Sequence, residues 1–182
     1  MQLMEMKTPV KVNVRDVVRQ LLGANMARIL YDDAMKEGGK RFDYLRVSVT
    51  CGRCANHTGT AAELILDGLP MIDPCGRPWT AKGMFININK RQNMNLFKDR
   101  LRELEGDYTQ RDMDQQPLLM DYKPEGSMFH GAVFSGVNFI VLDYTYSQTV
   151  EGDRKLRDFT AGLEHALSAG VFPNLASVLI MQ

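Results

Sequence analysis

The stretch SMFHGAVFSGVNFIVLDYTYS, residues 127–147, decides the fold that the sequence predicts. It contains two apolar runs on either side of Ser135–Gly136, a dipeptide that is typical of a tight turn between strands. Two strands joined by so short a turn pair as antiparallel neighbours. This stretch therefore predicts a β-rich third region rather than a regular alternation of strands and helices.

The rest of the chain predicts helices with recognisable first residues. Asn13 can cap a long helix that ends at two glycines, and Thr60 with Glu63 forms a T-x-x-E capping box for a short one. Further helices are expected to begin at Asn93 and near Asp153. In the helix that follows Asn93, four apolar residues at helical spacing predict a buried stripe, Met94, Phe97, Leu101 and Leu104.

The predicted order of elements is α-β-α-β-α-β-β-β-α-β. It favours the α+β class, with a mixed or mostly antiparallel sheet and helices packed on one face. A doubly wound parallel sheet would need a more regular alternation of strands and helices. The length suits a single domain over residues 1–182, in which the polar segment 107–116 predicts a mobile loop or hinge.

Composition excludes several classes of protein. The 22 basic and 22 acidic residues balance, so a dedicated nucleic-acid binder is not favoured, although a local basic patch remains compatible with one. The apolar runs are too short for a membrane span, and the N-terminus lacks an apolar core of signal-peptide length. Three cysteines make a poor disulfide framework, which favours a soluble protein of a reducing, cytoplasmic compartment.

The densest chemistry of the sequence is a cysteine and histidine cluster. Cys51, Cys54 and His57 fall within seven residues, and Cys75 follows in a second loop. Three thiolates and one imidazole are an accepted ligand set for tetrahedral zinc, so these four residues are the candidate metal site. The second half of the pattern offers one cysteine where a zinc ribbon has two, so the alternative is a set of ordinary core and loop residues with no cofactor.

A thiol-redox role is a further interpretation of the same cluster. A strand, a C-x-x-C motif and a helix follow one another in redox proteins, where the helix N-terminus lowers the pKa of the first thiol. Here the predicted helix begins at Thr60, six residues after Cys54, which would leave the thiols away from the helix dipole. This placement disfavours the redox interpretation.

Other catalytic arrangements are weaker still. Cys75, His130 and Asp143 could form a triad, but triads are recognised by geometry and no spacing supports this one. His165 is expected to be a solvated helix residue. The aromatic residues of the β-rich region are expected to form core rather than a base-stacking surface, because no lysine or arginine occurs from Ser127 to Gln148.

The absence of a strong catalytic motif leads to the main functional hypothesis. We expect a non-catalytic protein–protein interaction or assembly protein, such as a structural subunit, an adaptor or an inhibitor, with a protein partner or self-association. The order of strand, acidic loop, amphipathic helix and apolar terminal segment resembles that of small phage tail-terminator and head–tail joining proteins, over about the last third of the chain and without a motif. A viral assembly subunit is one form of this hypothesis.

The alternative hypothesis is a zinc-stabilised binding module. The loops that hold the candidate ligands also carry Arg53, Arg77 and Trp79, which could contact nucleic acid or protein. An enzyme whose site is assembled from distant residues is the third hypothesis.

Overall fold

The structure of the protein is a computed structural model. It describes residues 13–32, 42–50, 57–88, 91–105, 118–121, 129, 132–143 and 150–181. The helices are α1 Val14–Tyr31, α2 Phe42–Leu45, α3 His57–Asp67, α4 Arg91–Glu105 and α5 Val150–Ser168. The strands are β1 Arg46–Val49, β2 Leu69–Ile72, β3 Pro78–Ala81, β4 Gly83–Asn87, β5 Leu118–Asp121, β6 Phe139–Asp143 and β7 Ser177–Met181.

Five strands form one sheet in the order β1-β7-β6-β4-β5, and every neighbouring pair is parallel. The prediction of helices with a sheet is confirmed, but the prediction of a mixed or mostly antiparallel sheet is wrong. The turn at Ser135–Gly136 exists, yet residues 132–134 before it form no strand. Strand β6 after the turn pairs in parallel with β4 and β7, so the stretch 127–147 does not form the predicted hairpin.

Helices cover both faces of the sheet, which corrects the prediction that they pack on one face. Phe85 and Val141 point into a core shared with α1, α3 and α4, which we call the α1 face. Ile86 and Leu142 point into a second core, closed by α5, which we call the α5 face. Strands buried on both faces are apolar at successive positions rather than at alternate ones, as in FIVLD of β6 and SVLIM of β7.

A small antiparallel hairpin of β2 and β3 packs beside α1. The sequence predicts only a proline- and glycine-rich connection here, because the strands are short and interrupted by prolines. The indole N–H of Trp79 donates a hydrogen bond of 2.9 Å to the hydroxyl of Tyr31, which fixes β3 to the C-terminal end of α1.

A half-buried asparagine joins α1 to the sheet. The amide of Asn25 donates to the hydroxyl of Ser177 at 3.0 Å and to the carbonyl of Leu45 at 3.1 Å. The Ser177 hydroxyl also donates to the Leu45 carbonyl, at 3.1 Å. These bonds join α1, α2 and the first residue of β7, and they satisfy polar groups that burial would otherwise penalise.

Helix boundaries agree with the sequence at some ends and not at others. Asn13 caps α1 by accepting a hydrogen bond from the backbone N–H of Arg15, as predicted. The second predicted helix, however, begins at His57 rather than at Thr60, which is buried inside α3. The predicted mobile segment 107–116 lies outside the described residues. Among the described helices, none combines the length and the apolar character needed to span a bilayer.

Candidate ligand-binding site

Polar residues stand at the carboxyl ends of three neighbouring strands. The backbone register places Asn87, the last residue of β4, opposite Asp121 of β5 on one side. It places the same residue opposite Asp143 of β6 on the other side. The row continues with Met181 and Val49 on β7 and β1, so the edge of the sheet is polar over β6, β4 and β5 and apolar beyond them.

Asn87 and Asp121 are joined by a direct hydrogen bond. The Nδ2 group of Asn87 donates to Oδ1 of Asp121 over 2.9 Å. Asn87 is 2% exposed, whereas Asp121 is exposed to solvent. Because a buried carboxamide is costly unless it is hydrogen-bonded, this bond explains how a polar residue can occupy the end of an otherwise apolar central strand.

The pair lies on the α1 face of the sheet. Side chains alternate along a strand, and Asn87 follows Phe85 by two residues. Phe85 lies in the core of that face and stacks on Phe97 of α4, with ring centroids 3.6 Å apart. Asn87 and Asp121 therefore occupy the end of the sheet on the face that α4 covers.

The connections leave this edge in opposite directions. Strand β4 continues into α4 on the α1 face, and the neighbouring strand β6 continues into α5 on the α5 face. Two adjacent parallel strands whose helices lie on opposite faces form a topological switch point. In doubly wound sheets, ligands bind in the crevice outside the carboxyl ends of such strands, so Asn87 stands where a ligand is expected.

Helix α4 follows β4 at the same edge, and its first residue comes four positions after Asn87. The helix begins at Arg91, after Ile88 and the two residues Asn89 and Lys90, and it runs for 15 residues. The first backbone N–H groups of a helix have no partner within it and carry partial positive charge, which favours anions. The sequence adds two basic residues at this point, Lys90 and Arg91. The start of α4, which follows β4, and the exposed carboxylate of Asp121 at the end of β5 are therefore the two features of this edge that can bind charged or polar groups of a ligand.

The structure describes two of the four predicted zinc ligands. Cys51 and Cys54 lie outside the described residues. His57 is the first residue of α3, and Cys75 lies in the turn of the β2–β3 hairpin as a free, exposed thiol.

The two described ligands are at different ends of α1. Ion pairs from Arg15 to Glu63 and from Arg19 to Asp67 show that α1 and α3 run side by side in the same direction, with His57 beyond the Arg15 end. The hairpin that carries Cys75 is held at Tyr31, about 24 Å further along α1 at 1.5 Å per residue. This separation does not favour a single site, and the zinc set remains a prediction.

The turn that carries Cys75 is tightly organised by Asp73. One carboxylate oxygen of Asp73 accepts backbone N–H groups of Arg77 at 2.8 Å and of Cys75 at 2.9 Å. The other accepts from the Arg77 side chain at 2.8 Å. The backbone N–H of Arg77, followed by its side chain and the Cys75 N–H, holds the pKa of the Asp73 carboxyl below its ordinary value, against a weaker opposing effect of desolvation.

The start of α3 changes one argument about the cysteines. Since the helix begins at His57, it starts three residues after Cys54 rather than six. The reason for disfavouring a thiol-redox role, a helix start at Thr60, is therefore wrong, and that role remains a hypothesis. Buried in the structure, the Nε2 atom of His57 has no hydrogen-bond partner among the described residues.

The remaining candidates are placed only in part. His130 lies outside the described residues, so the triad with Cys75 and Asp143 remains a prediction. His165 is exposed on α5, as expected for a solvated helix residue. Phe129 and Phe139 are buried, which confirms a core position for these two aromatic side chains.

Sequence reasoning missed Asn87 and Asp121. A signal was present, because two apolar runs, LLMD at 118–121 and FIVLD at 139–143, each end in aspartate. It could not be interpreted without knowing that both strands are parallel neighbours of β4, since only that arrangement brings their last residues to one edge. Among the described residues, no group of three or more histidine, cysteine or acidic side chains is placed to hold a metal ion.

Compared with models of known protein families, with curated proteins and with solved structures, the chain shows no significant match.

Proposed function

We propose that the protein binds a small phosphorylated molecule that carries hydroxyl groups, such as a sugar phosphate or a mononucleotide, at the carboxyl edge of β4, β5 and β6. The observation that carries this proposal is the hydrogen-bonded pair of Asn87 and Asp121, in which Asn87 ends one of the two strands of the switch point and the strand that leads into α4. Ligand sites of parallel α/β sheets lie at this position.

The two sides of the crevice suit the two ends of such a ligand. The first N–H groups of α4 favour a phosphate, and the basic residues Lys90 and Arg91 add to this preference. The exposed carboxylate of Asp121 is a strong acceptor for hydroxyl groups. An acidic residue that accepts the ribose hydroxyls is a recurring part of nucleotide sites built on strand–helix–strand units.

A dinucleotide is a less suitable ligand. Sites for dinucleotides use a glycine-rich turn so that the backbone can approach the pyrophosphate. The connection from β4 to α4 is Ile88, Asn89 and Lys90, which contains no glycine. The proposed ligand therefore carries a single phosphate group or a short phosphate chain.

Isothermal titration calorimetry tests the proposal. AMP, ribose 5-phosphate and inorganic phosphate would each be titrated into the full chain. Binding of at least one organic phosphate is expected, and Asp121→Ala should weaken it by about tenfold or more, because a hydrogen bond to a charged group is lost. Asp158→Ala, which changes an exposed aspartate of helix α5, is the matched control. No binding of any of the three would contradict the proposal.

The assembly role remains a second proposal. It is supported by the two edges of the sheet, because β1 and β5 each have a strand neighbour on one side only within the described part of the chain. An open strand edge can accept a strand from another chain. A native mass spectrum under reducing conditions tests this role: a defined oligomer supports it, and a monomer at micromolar concentration argues against self-assembly. The same spectrum reports whether zinc is bound.

A further inference from the structure

We infer that Asn87 makes the crevice selective for a hydroxyl-bearing ligand over a divalent cation. This inference rests on the proposed function and names the residue that decides the chemistry of the site. It starts from the identity of the residue at the centre of the row, where a carboxamide stands between positions occupied by aspartates, Asp121 and Asp143.

A carboxamide supplies a donor that a carboxylate lacks. Asn87 donates an N–H to Oδ1 of Asp121 over 2.9 Å, so this oxygen is already engaged. An aspartate at position 87 would place a second carboxylate as close to Oδ1 of Asp121 as the Asn87 amide now lies. Two carboxylates so close are stable only when a proton or a cation lies between them.

The hydrogen bond also opposes a cation in the native chain. Calcium takes oxygen ligands from carboxylates, carbonyls and waters, and magnesium is usually held by one or two carboxylates together with substrate phosphates. A cation at Asp121 would compete with the Nδ2 group of Asn87, whose side chain is 2% exposed and which loses a charge-assisted bond if displaced. A ligand hydroxyl, by contrast, can donate to the exposed carboxylate while the bond from Asn87 persists.

Manganese binding, measured by electron paramagnetic resonance of free Mn²⁺, tests the inference directly. The wild-type chain is expected to bind millimolar Mn²⁺ no better than the Asp121→Ala variant. Asn87→Asp is expected to bind it about tenfold or more tightly than wild type, because affinity rises with the number of carboxylate ligands. Wild-type binding clearly tighter than that of Asp121→Ala, or no gain in affinity in Asn87→Asp, would overturn the inference.

A second measurement needs no variant and covers the case in which Asn87→Asp fails to fold, as judged by circular dichroism. The affinity of the wild-type chain for the best organic phosphate should be the same in EDTA and in saturating MgCl₂. Binding that requires Mg²⁺ would overturn the role of Asn87 and leave the proposed function standing. Binding of none of the phosphates in either buffer would contradict the proposed function, whereas the Mn²⁺ comparison would still decide the role of Asn87.

Discussion

Gly83, the first residue of β4, is closely surrounded by side chains of β6 and α3. A Cβ atom built at this position would overlap the ring of Phe139 on β6 and would lie 2.8 Å from the Cδ1 atom of Ile65 on α3. Both neighbours are buried, so neither can move far. The glycine is required here by the close approach of these side chains.

Gly83→Ala should therefore lower the free energy of unfolding by about 1–3 kcal/mol, the usual cost of overpacking a core. Urea denaturation followed by circular dichroism measures this change. Gly162→Ala is the control, because a Cβ at Gly162 in α5 meets nothing within 4 Å. That variant should be stabilised by up to about 1 kcal/mol, since alanine favours helix over glycine. Equal effects of both variants would contradict the role assigned to Gly83.

Two asparagines show what a local pattern can and cannot reveal. Asn13 was predicted as a helix cap, and the structure confirms it, because capping depends on neighbours two or three residues away. The role of Asn87 depends on Asp121, which is distant in the sequence and adjacent only across the sheet. No local pattern carries that information.

Among the helices, α4 has the helical spacing that was predicted, but its buried stripe ends one turn earlier than predicted. Met94, Phe97 and Leu101 are buried against the sheet, which confirms most of the predicted stripe. Leu104 is 38% exposed, so this part of the prediction is wrong. Helical spacing places Leu104 on the same face, but at that turn the described residues do not cover it fully.

Truncation of the two leucines tests this difference. Leu101→Ala should lower the free energy of unfolding by about 2–5 kcal/mol, because it leaves a cavity in the core of the α1 face. Leu104→Ala, on the same helix, should change it by less than about 1 kcal/mol. Thermal or urea unfolding of both variants gives the comparison. A larger loss for Leu104→Ala would mean that a further element covers this turn of α4.

At the scale of the whole molecule, the last strand in the chain holds a central position in the sheet. Strand β7 pairs with β6 on one side and with β1 on the other. All five of its residues are buried, and its four apolar residues contribute to both cores. The sheet is complete only when the first and the last strand of the described chain have paired.

Deletion of residues 177–182 should therefore abolish cooperative unfolding. Strand β1 loses its strand neighbour, and both cores lose the buried apolar side chains of β7. Circular dichroism and urea titration of the truncated chain measure this loss. Removal of Gln182 alone serves as the control and should leave the transition unchanged. A truncated chain that still unfolds cooperatively would mean that β7 contributes little to the stability of the sheet.

Local patterns in the sequence predicted α1, α3, α4 and α5 near their observed starts, the cap at Asn13, most of the buried stripe of α4 and the apolar strands β6 and β7, but not the short helix α2. These features depend on residues close together in the chain, because helical spacing, cap residues and continuous apolar runs are all visible in the sequence. The direction of the strands was visible only in the tertiary structure. A continuous apolar run, as in β6 and β7, indicates burial on both faces but does not identify the neighbouring strands or their direction. The position of the candidate site depends on this direction. Parallel pairing brings Asn87, Asp121 and Asp143 to one edge, whereas antiparallel pairing would have placed the last residues of neighbouring strands at opposite ends of the sheet.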